Sequence, residues 1–154
     1  MQSPIAKRST MAEVVLDANI IVGWLDEQDT QNERATRFIR GLRDQGHSIL
    51  VLDVIAAEAL SVICRRATER KVKAPDTGKF IAAIREWQRL GVMAFVSHDI
   101  ETRFEQILDE VAASDGALNF NDALLVVLQR ERSIQQVATF DAKLAGVSGF
   151  QSLS

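Results

Sequence analysis

Short aliphatic runs that end in an acidic residue recur along the chain. Asp17, Asp53 and Asp141 each close such a run. Runs of this kind, rich in β-branched residues, are typical of strands buried on both faces of a parallel sheet. Between them, apolar residues recur at spacings of three and four, which predicts helices. The alternation predicts an α/β fold: one domain with a central parallel sheet of four to five strands and helices on both faces.

The same pattern predicts the approximate limits of each element. Strands are expected over residues 14–16, 48–52, 92–96 and 136–140. Helices are expected over residues 20–26, about 30–45, 54–70, 75–91 and 100–113, and from Asn119 onwards. Pro75 suits the first turn of a helix, and residues 123–128 are apolar on every side, which predicts burial. The pattern after residue 142 predicts no element.

Composition narrows the class of protein. The 154 residues suit one domain, expected over residues 13–154, with residues 1–12 as a flexible tail and Met11 as an alternative start to Met1. Cys64 is the only cysteine, which excludes an intramolecular disulfide and a cysteine zinc site. No apolar run approaches the ~20 residues that span a membrane, so we expect a cytoplasmic protein. The net charge of −3 means that nucleic acid would need a local basic patch.

Four acids stand where strands end or on helix faces that lead towards those ends. Asp17 and Asp141 follow strands, Glu58 shares an apolar stripe with Ile55 and Ala59, and Asp122 precedes six apolar residues. Each has an ordinary alternative role. Asp17, Asp122 and Asp141 suit helix caps or turns, and Glu58 suits a salt bridge with an arginine.

Together the four acids indicate a metal site. Carboxylates 4–6 Å apart repel by roughly 3–4 kcal/mol at an effective dielectric of 20, so four of them need a cation. Oxygen ligands favour Mg²⁺ or Mn²⁺ over zinc. Ions held in this way can activate water and stabilise the charge of a phosphodiester displacement. Metal-dependent phosphodiester hydrolysis is therefore the expected chemistry.

The order of these motifs resembles that of the PIN-domain ribonucleases, especially the VapC-type toxins of toxin–antitoxin pairs. The resemblance runs over about residues 13–150 and is carried by four segments: Val14-Val15-Leu16-Asp17-Ala18-Asn19, Ala57-Glu58-Ala59-Leu60, Asn121-Asp122-Ala123-Leu124 and Thr139-Phe140-Asp141. The chain departs from the family pattern at three positions: Asn119 and Asn121 around the third acid, and Asp53 as an additional acid.

The resemblance implies roles for individual residues. Asp17, Glu58, Asp122 and Asp141 would hold Mg²⁺ or Mn²⁺ and carry catalysis. Asn19 and Thr139 would support them and orient water. Whether Asp53 or Asp115 joins the site stays open.

The resemblance also implies partners. A toxin of this kind is expected to form a homodimer and to bind a small antitoxin protein. The early helices carry apolar residues that we expect at the dimer interface, namely Trp24, Phe38, Ile39 and Leu42.

Two basic segments are candidates for RNA binding. The first, residues 65–73, includes Arg65, Arg66, Arg70 and Lys71, which could bind phosphates or simply form a solvated helix end. In the second segment arginines recur every third residue and form a broad basic side of one helix: Arg34, Arg37, Arg40 and Arg43.

Three rival functions fit parts of the pattern. A phosphoacceptor signalling domain would use Asp53 and Lys143, but it needs an acid pair where Asp17-Ala18 stands and leaves Glu58 unexplained. A phosphatase with an aspartyl nucleophile would need a second Asp at the position of Asn19. The third rival is a non-catalytic or RNA-processing module with the same fold. The metal-dependent endoribonuclease accounts for more of the charged residues than any of them.

Overall fold

Five parallel strands form one central sheet in the computed structural model, which describes residues 12–154. The predicted tail, apart from Ala12, lies outside the described residues. The strands are β1 (Glu13–Leu16), β2 (Ser48–Leu52), β3 (Met93–Ala94), β4 (Gln136–Ala138) and β5 (Ser152–Leu153). Val14, Val15 and Leu16 are fully buried, as an aliphatic strand covered on both faces must be.

The strand order is β3-β2-β1-β4-β5, with every pair parallel. From β1 the chain moves outward to β2 and β3, then returns to the other side of β1 to form β4 and β5. The order therefore reverses between β1 and β4. In open α/β sheets, ligands bind beyond the carboxyl ends of the strands at such a reversal.

Seven helices occur in the described residues and cover the sheet. They are α1 (Ala18–Leu25), α2 (Asn32–Asp44), α3 (Asp53–Glu69), α4 (Thr77–Arg89), α5 (Ser97–Ala113), α6 (Phe120–Arg130) and α7 (Ala142–Ala145). Parallel crossovers are right-handed. The outward path therefore puts α1–α4 on one face, and the return puts α5–α7 on the other. The predicted single α/β domain with helices on both faces is confirmed.

Several predicted limits need correction because side chains cap the helices. The carboxylate of Asp76 accepts the N–H of Lys79, so α4 begins at Thr77, two residues after Pro75. The Asp53 carboxylate accepts the N–H of Val96 at 3.0 Å, and α5 starts at Ser97 instead of near residue 100. α7 and β5 were not predicted, because neither has enough residues to show a period.

The early helices do not present the apolar surface that the sequence predicted. Ile39 and Leu42 are buried in the core, at 2% and 4% exposure. Trp24 stacks on Trp87 with ring centroids 6.1 Å apart, and Phe38 packs against the ring of Phe140. The prediction that these residues form a dimer interface is therefore wrong for Ile39 and Leu42. None of the helices described is long and apolar enough to cross a membrane.

The topology also excludes the phosphoacceptor domain. Receiver domains have the strand order 2-1-3-4-5, whereas this sheet runs 3-2-1-4-5. Asp53, the residue that would be phosphorylated, opens α3 and its carboxylate holds the backbone of Val96.

Candidate active site

The site lies where β1 and β4 end side by side. Leu16 is paired with Ala138, and the N–H of Asp17 donates to the Ala138 carbonyl at 2.9 Å. The residues that follow these two strands, Asp17 and Thr139, are therefore brought together across the point where the strand order reverses.

Asp17 is a buried carboxylate with both oxygens hydrogen-bonded. Oδ1 accepts the N–H of Ala18 at 2.7 Å, which caps α1. Oδ2 accepts the Thr139 hydroxyl at 2.7 Å and the Asn19 amide at 3.2 Å. Asp17 is thus a helix cap, as the ordinary reading predicted, and the centre of a polar network as well.

Asn19 extends this network along β4. Its Nδ2 also lies 3.3 Å from Thr139 Oγ1, and its Oδ1 accepts the N–H of Phe140 at 3.1 Å. The two residues predicted to support the acids therefore contact Asp17 directly. They fix the orientation of its carboxylate and the path of the chain after β4.

Asp141 lies at the end of the same network. Its N–H donates to Thr139 Oγ1 at 3.0 Å, and its carboxylate accepts the N–H of Lys143 at 2.8 Å, which caps α7. Thr139 thus connects Asp17 to Asp141, because its hydroxyl donates to one and accepts from the other.

Glu58 reaches the site from the second turn of α3. Its Oε2 accepts the side-chain amide of Asn121, in the first turn of α6, at 2.7 Å. This bond joins helices from opposite faces of the sheet. The predicted alternative, a salt bridge from Glu58 to an arginine, is not found among the described residues.

Asp122 forms a capping box at the start of α6. Its N–H donates to Asn119 Oδ1 at 2.8 Å, while its Oδ2 accepts the N–H of Asn119 at 3.0 Å. The capping role expected for this acid is confirmed. The box occupies Oδ2 and holds Asp122 in place, leaving Oδ1 without a hydrogen bond within the described chain.

The four acids influence each other electrostatically. Burial raises the pKa of Asp17 to about 6, and the charges of Asp122 and Glu58 add to this rise, against the hydrogen bonds from Thr139 and Ala18. Burial also raises the pKa of Asp122, and Asp141 and Glu58 contribute to the increase. Asp122 is therefore near enough for like-charge repulsion with each of the other three acids, and Asp17 is near enough to Glu58.

The donor chemistry of these acids fits a hard divalent cation, since it consists only of oxygen. Their geometry is more open than a closed ligand set. Within residues 12–154, no three histidine, cysteine or acidic side chains lie close enough to hold a metal ion. Each of the four carboxylates is instead engaged in a hydrogen bond of its own.

The predicted RNA-binding segment has a different arrangement from the one expected. Arg66 contacts Asp26 at 2.8 Å and Asp29 at 2.6 Å, and Arg70 contacts Asp26 at 3.2 Å. These two arginines form ion pairs with Asp26, a buried acid at the end of α1, and their contact with RNA stays a prediction. Two further residues of the segment are exposed, Arg65 and Lys71.

Asp53 and Asp115 form no hydrogen bond with the four acids within the described residues, and the Asp53 carboxylate accepts the N–H of Val96 instead. Neither is among the charges that raise the pKa of Asp17 or Asp122. Asp115 is exposed in the turn between α5 and α6, with a φ of 50°.

Sequence reasoning missed the roles of Asn121 and Asp26. Asn121 stood out only as a departure from the family pattern, and its bond to Glu58 spans 63 positions. Asp26 followed an apolar run and looked like an ordinary helix end. A pairing signal for either residue would require the sequences of relatives.

A family model for the PIN domain matches residues 14–149, and the chain therefore belongs to the PIN domain family. The resemblance noted from the four acid-bearing segments is confirmed. No curated protein sequence matches the chain.

Solved structures share the fold at low sequence identity. VapC20 of Mycobacterium tuberculosis, a sarcin–ricin loop cleaving toxin, matches with a TM-score of 0.65 and 19% identity, over 89% of this chain and 95% of that one. FitAcB of Neisseria gonorrhoeae matches with a TM-score of 0.59 and 15% identity, over 92% of this chain and 96% of that one. PAE2754 of Pyrobaculum aerophilum matches with a TM-score of 0.53 and 16% identity, over 92% of this chain and 90% of that one.

Proposed function

We propose that this PIN-domain protein is a Mg²⁺- or Mn²⁺-dependent endoribonuclease and the toxin of a toxin–antitoxin pair. One observation carries the proposal. Four acids from separate parts of the fold converge at the reversal point of the sheet: Thr139 links Asp17 to Asp141, and the charges of Asp122 and Glu58 add to the burial that raises the pKa of Asp17 to about 6. Helix caps alone would not require the acids that follow β1 and β4 to share one region with acids of α3 and α6.

In this mechanism Asp17, Glu58, Asp122 and Asp141 hold one or two divalent ions. When bound, such ions lower the pKa of water and stabilise the charge of a phosphodiester displacement. The protein holds its own acids in place for that task. Asn19 and Thr139 orient Asp17, the capping box orients Asp122, and Asn121 orients Glu58.

Single-stranded or loop RNA is the proposed substrate class. VapC20, which shares the fold, is a toxin that cleaves the sarcin–ricin loop. Arg65 and Lys71 stay candidates for contacts with flanking phosphates because both are exposed and neither forms a salt bridge within the described chain.

Cleavage of one RNA under single-turnover conditions tests the proposal. With excess enzyme and Mn²⁺, Asp17→Asn is expected to slow cleavage by about 10²-fold or more, because charge and ligand are lost together. The matched control is Asp115→Asn, the same substitution at an exposed turn, which should cleave like the parent. Equal rates for the parent and Asp17→Asn would contradict the proposal.

A non-catalytic PIN module is the second candidate. It is favoured by the open arrangement of the acids, since no three of them within residues 12–154 form a closed ligand cluster. The same cleavage experiment separates the two candidates, because a non-catalytic module cleaves no RNA in any variant.

We further propose that the protein forms a homodimer and binds a small antitoxin. The antitoxin expectation is supported by VapC20, a toxin that shares the fold, and the homodimer expectation follows from the resemblance to VapC-type toxins. Sedimentation at tens of micromolar tests the first, and a monomer would contradict it. Co-expression with the neighbouring reading frame followed by purification tests the second.

A further inference from the structure

One arginine of α2 lies against the aromatic residue beside the fourth acid. The guanidinium carbon of Arg34 is 3.8 Å from the centroid of the Phe140 ring. Phe38, one turn further along α2, packs against the same ring with its centroid 6.0 Å away at 70°. Phe140 is therefore held between two residues of one helix face and precedes Asp141 directly in the chain.

The position of this ring is coupled to the candidate active site. The N–H of Phe140 donates to Asn19 Oδ1 at 3.1 Å, and the amide of Asn19 contacts Asp17. Arg34 thus lies at a fixed location on the rim of the site. In the sequence, nothing distinguished Arg34 from the other arginines of the same helix.

Arg34 keeps its charge and its donors available. It is exposed, and none of the residues 12–154 forms a salt bridge or side-chain hydrogen bond with it. A guanidinium over an aromatic ring is attracted by the face of the ring and does not use its N–H groups for that contact. Those N–H groups suit the paired oxygens of a phosphate.

The helix itself does not explain an arginine at this place. Arg34 is in the first turn of α2, where the macrodipole disfavours a cation. Arg66 and Arg70, by contrast, are neutralised by Asp26 and Asp29. Unlike Arg66 and Arg70, Arg34 therefore keeps its positive charge available beside Phe140 and Asp141.

We propose that Arg34, held on the ring of Phe140, binds an RNA phosphate next to the four acids, so that the RNA strand passes over the start of α2. This inference rests on the proposed ribonuclease function and names the surface that its substrate uses. It assigns the contact to a residue outside the segment of residues 65–73.

RNA binding by full-length variants tests the proposal. Fluorescence anisotropy with a labelled single-stranded RNA, in EDTA to prevent cleavage, gives the dissociation constant across a salt series. Arg34→Ala should weaken binding about five- to tenfold at low salt and reduce the salt slope by about one, since one phosphate contact is lost. Arg34→Lys keeps the charge and should retain the slope while recovering part of the affinity.

Arg85→Ala is the matched control, because Arg85 is exposed, forms no salt bridge within the described residues and lies on α4, outside both basic segments. It should bind like the parent. The inference is overturned if Arg34→Ala binds RNA as the parent does, if Arg85→Ala loses as much affinity, or if Arg34→Lys behaves like Arg34→Ala. The inference is also overturned if Arg34→Ala binds RNA normally but no longer co-purifies with a protein partner.

Kinetics with Mn²⁺ separate this inference from the proposed function. Arg34→Ala should raise KM by a similar five- to tenfold and leave kcat within about twofold, because the contact binds substrate without touching the reacting atoms. A parent that neither binds nor cleaves RNA would overturn both proposals. A parent that cleaves RNA, with an Arg34→Ala variant of unchanged KM, would overturn this one alone.

Discussion

Asp17 combines two roles that conflict in the absence of a cation. Its carboxylate caps α1 and accepts the hydroxyl of Thr139, which stabilises the charged form. Burial and neighbouring acids oppose that charge and raise its pKa to about 6. The net result is a carboxylate that is ionised at neutral pH only at a cost to folding.

That cost predicts a pH-dependent effect of Asp17→Asn in EDTA. A folded pKa of about 6 against the ordinary value of 3.8 means no penalty below pH 3.8 and a full penalty above pH 6, roughly 3 kcal/mol. Asn removes the charge but keeps one acceptor oxygen, so a net gain of about 1–2 kcal/mol is expected at pH 8. The gain should shrink by about 1.5 kcal/mol at pH 5.

Urea unfolding at both pH values measures this gain in the free energy of unfolding. Asp115→Asn, the same substitution at an exposed turn, is the control. A gain for Asp17→Asn that is equal at pH 5 and pH 8 would contradict the assigned pKa.

Asn121 is expected to matter for metal binding more than for folding. Its amide holds Glu58 Oε2 at 2.7 Å, and no other side-chain hydrogen bond to Glu58 occurs within residues 12–154. Asn121→Ala should weaken Mn²⁺ binding about tenfold by freeing the Glu58 carboxylate, the lower end of the 10–100-fold range for residues that orient metal ligands. Isothermal titration with Mn²⁺ measures the affinity, and an unchanged value would show that Asn121 does not position Glu58.

At the scale of elements, α3 depends on an ion network at its far end. Glu58 and Arg66 are two turns apart on this helix, and Arg66 contacts Asp26 and Asp29 at the junction of α1 and α2. Asp26 is only 1% exposed. The network therefore fixes the end of α3 against α1 while the other end presents Glu58 to the site.

Neighbouring arginines of α3 should differ sharply in their effect on stability. Arg66→Ala removes the main partner of the buried Asp26, and we expect a loss of roughly 2 kcal/mol, less than for a fully buried pair because Arg66 is 24% exposed. Arg65→Ala, at an exposed position on the same helix, should change stability by less than about 0.5 kcal/mol. Urea midpoints compare the two variants, and equal losses would mean that the network contributes nothing.

At the scale of the molecule, the site exists only when the sheet has formed. Its acids follow β1 and β4 or belong to α3 and α6, and they are separated by up to 124 positions, from Asp17 to Asp141. The proposed metal binding would therefore be linked to folding, because the unfolded chain does not assemble these ligands.

Mn²⁺ should raise the melting temperature of the parent relative to EDTA. At 100 times the dissociation constant the stabilisation is about 2.7 kcal/mol. Glu58→Gln should reduce this increment and raise the melting temperature in EDTA, since it removes one of the repelling charges. Calorimetric scans in Mn²⁺ and in EDTA provide the comparison. Identical curves for the parent in the two buffers would contradict the four-acid site.

What the sequence determined by itself depended on local chemistry. Aliphatic runs identified β1 and β2, Asn119 marked the start of α6, and uniform apolarity identified the burial of residues 123–128. Asp17 and Asp141, which follow strands, were predicted to suit helix caps, and they are caps. These features need only neighbours within a few positions, and a single sequence contains them.

The tertiary structure decided which distant groups meet. It set the strand order that brings Asp17 beside Thr139, paired Glu58 with Asn121, and buried Ile39 and Leu42 where an exposed interface had been expected. It also divided similar arginines between a buried ion network and an open site rim. The physical reason is that partners far apart in the chain are chosen by packing of the whole sheet and its helices, which no local pattern encodes.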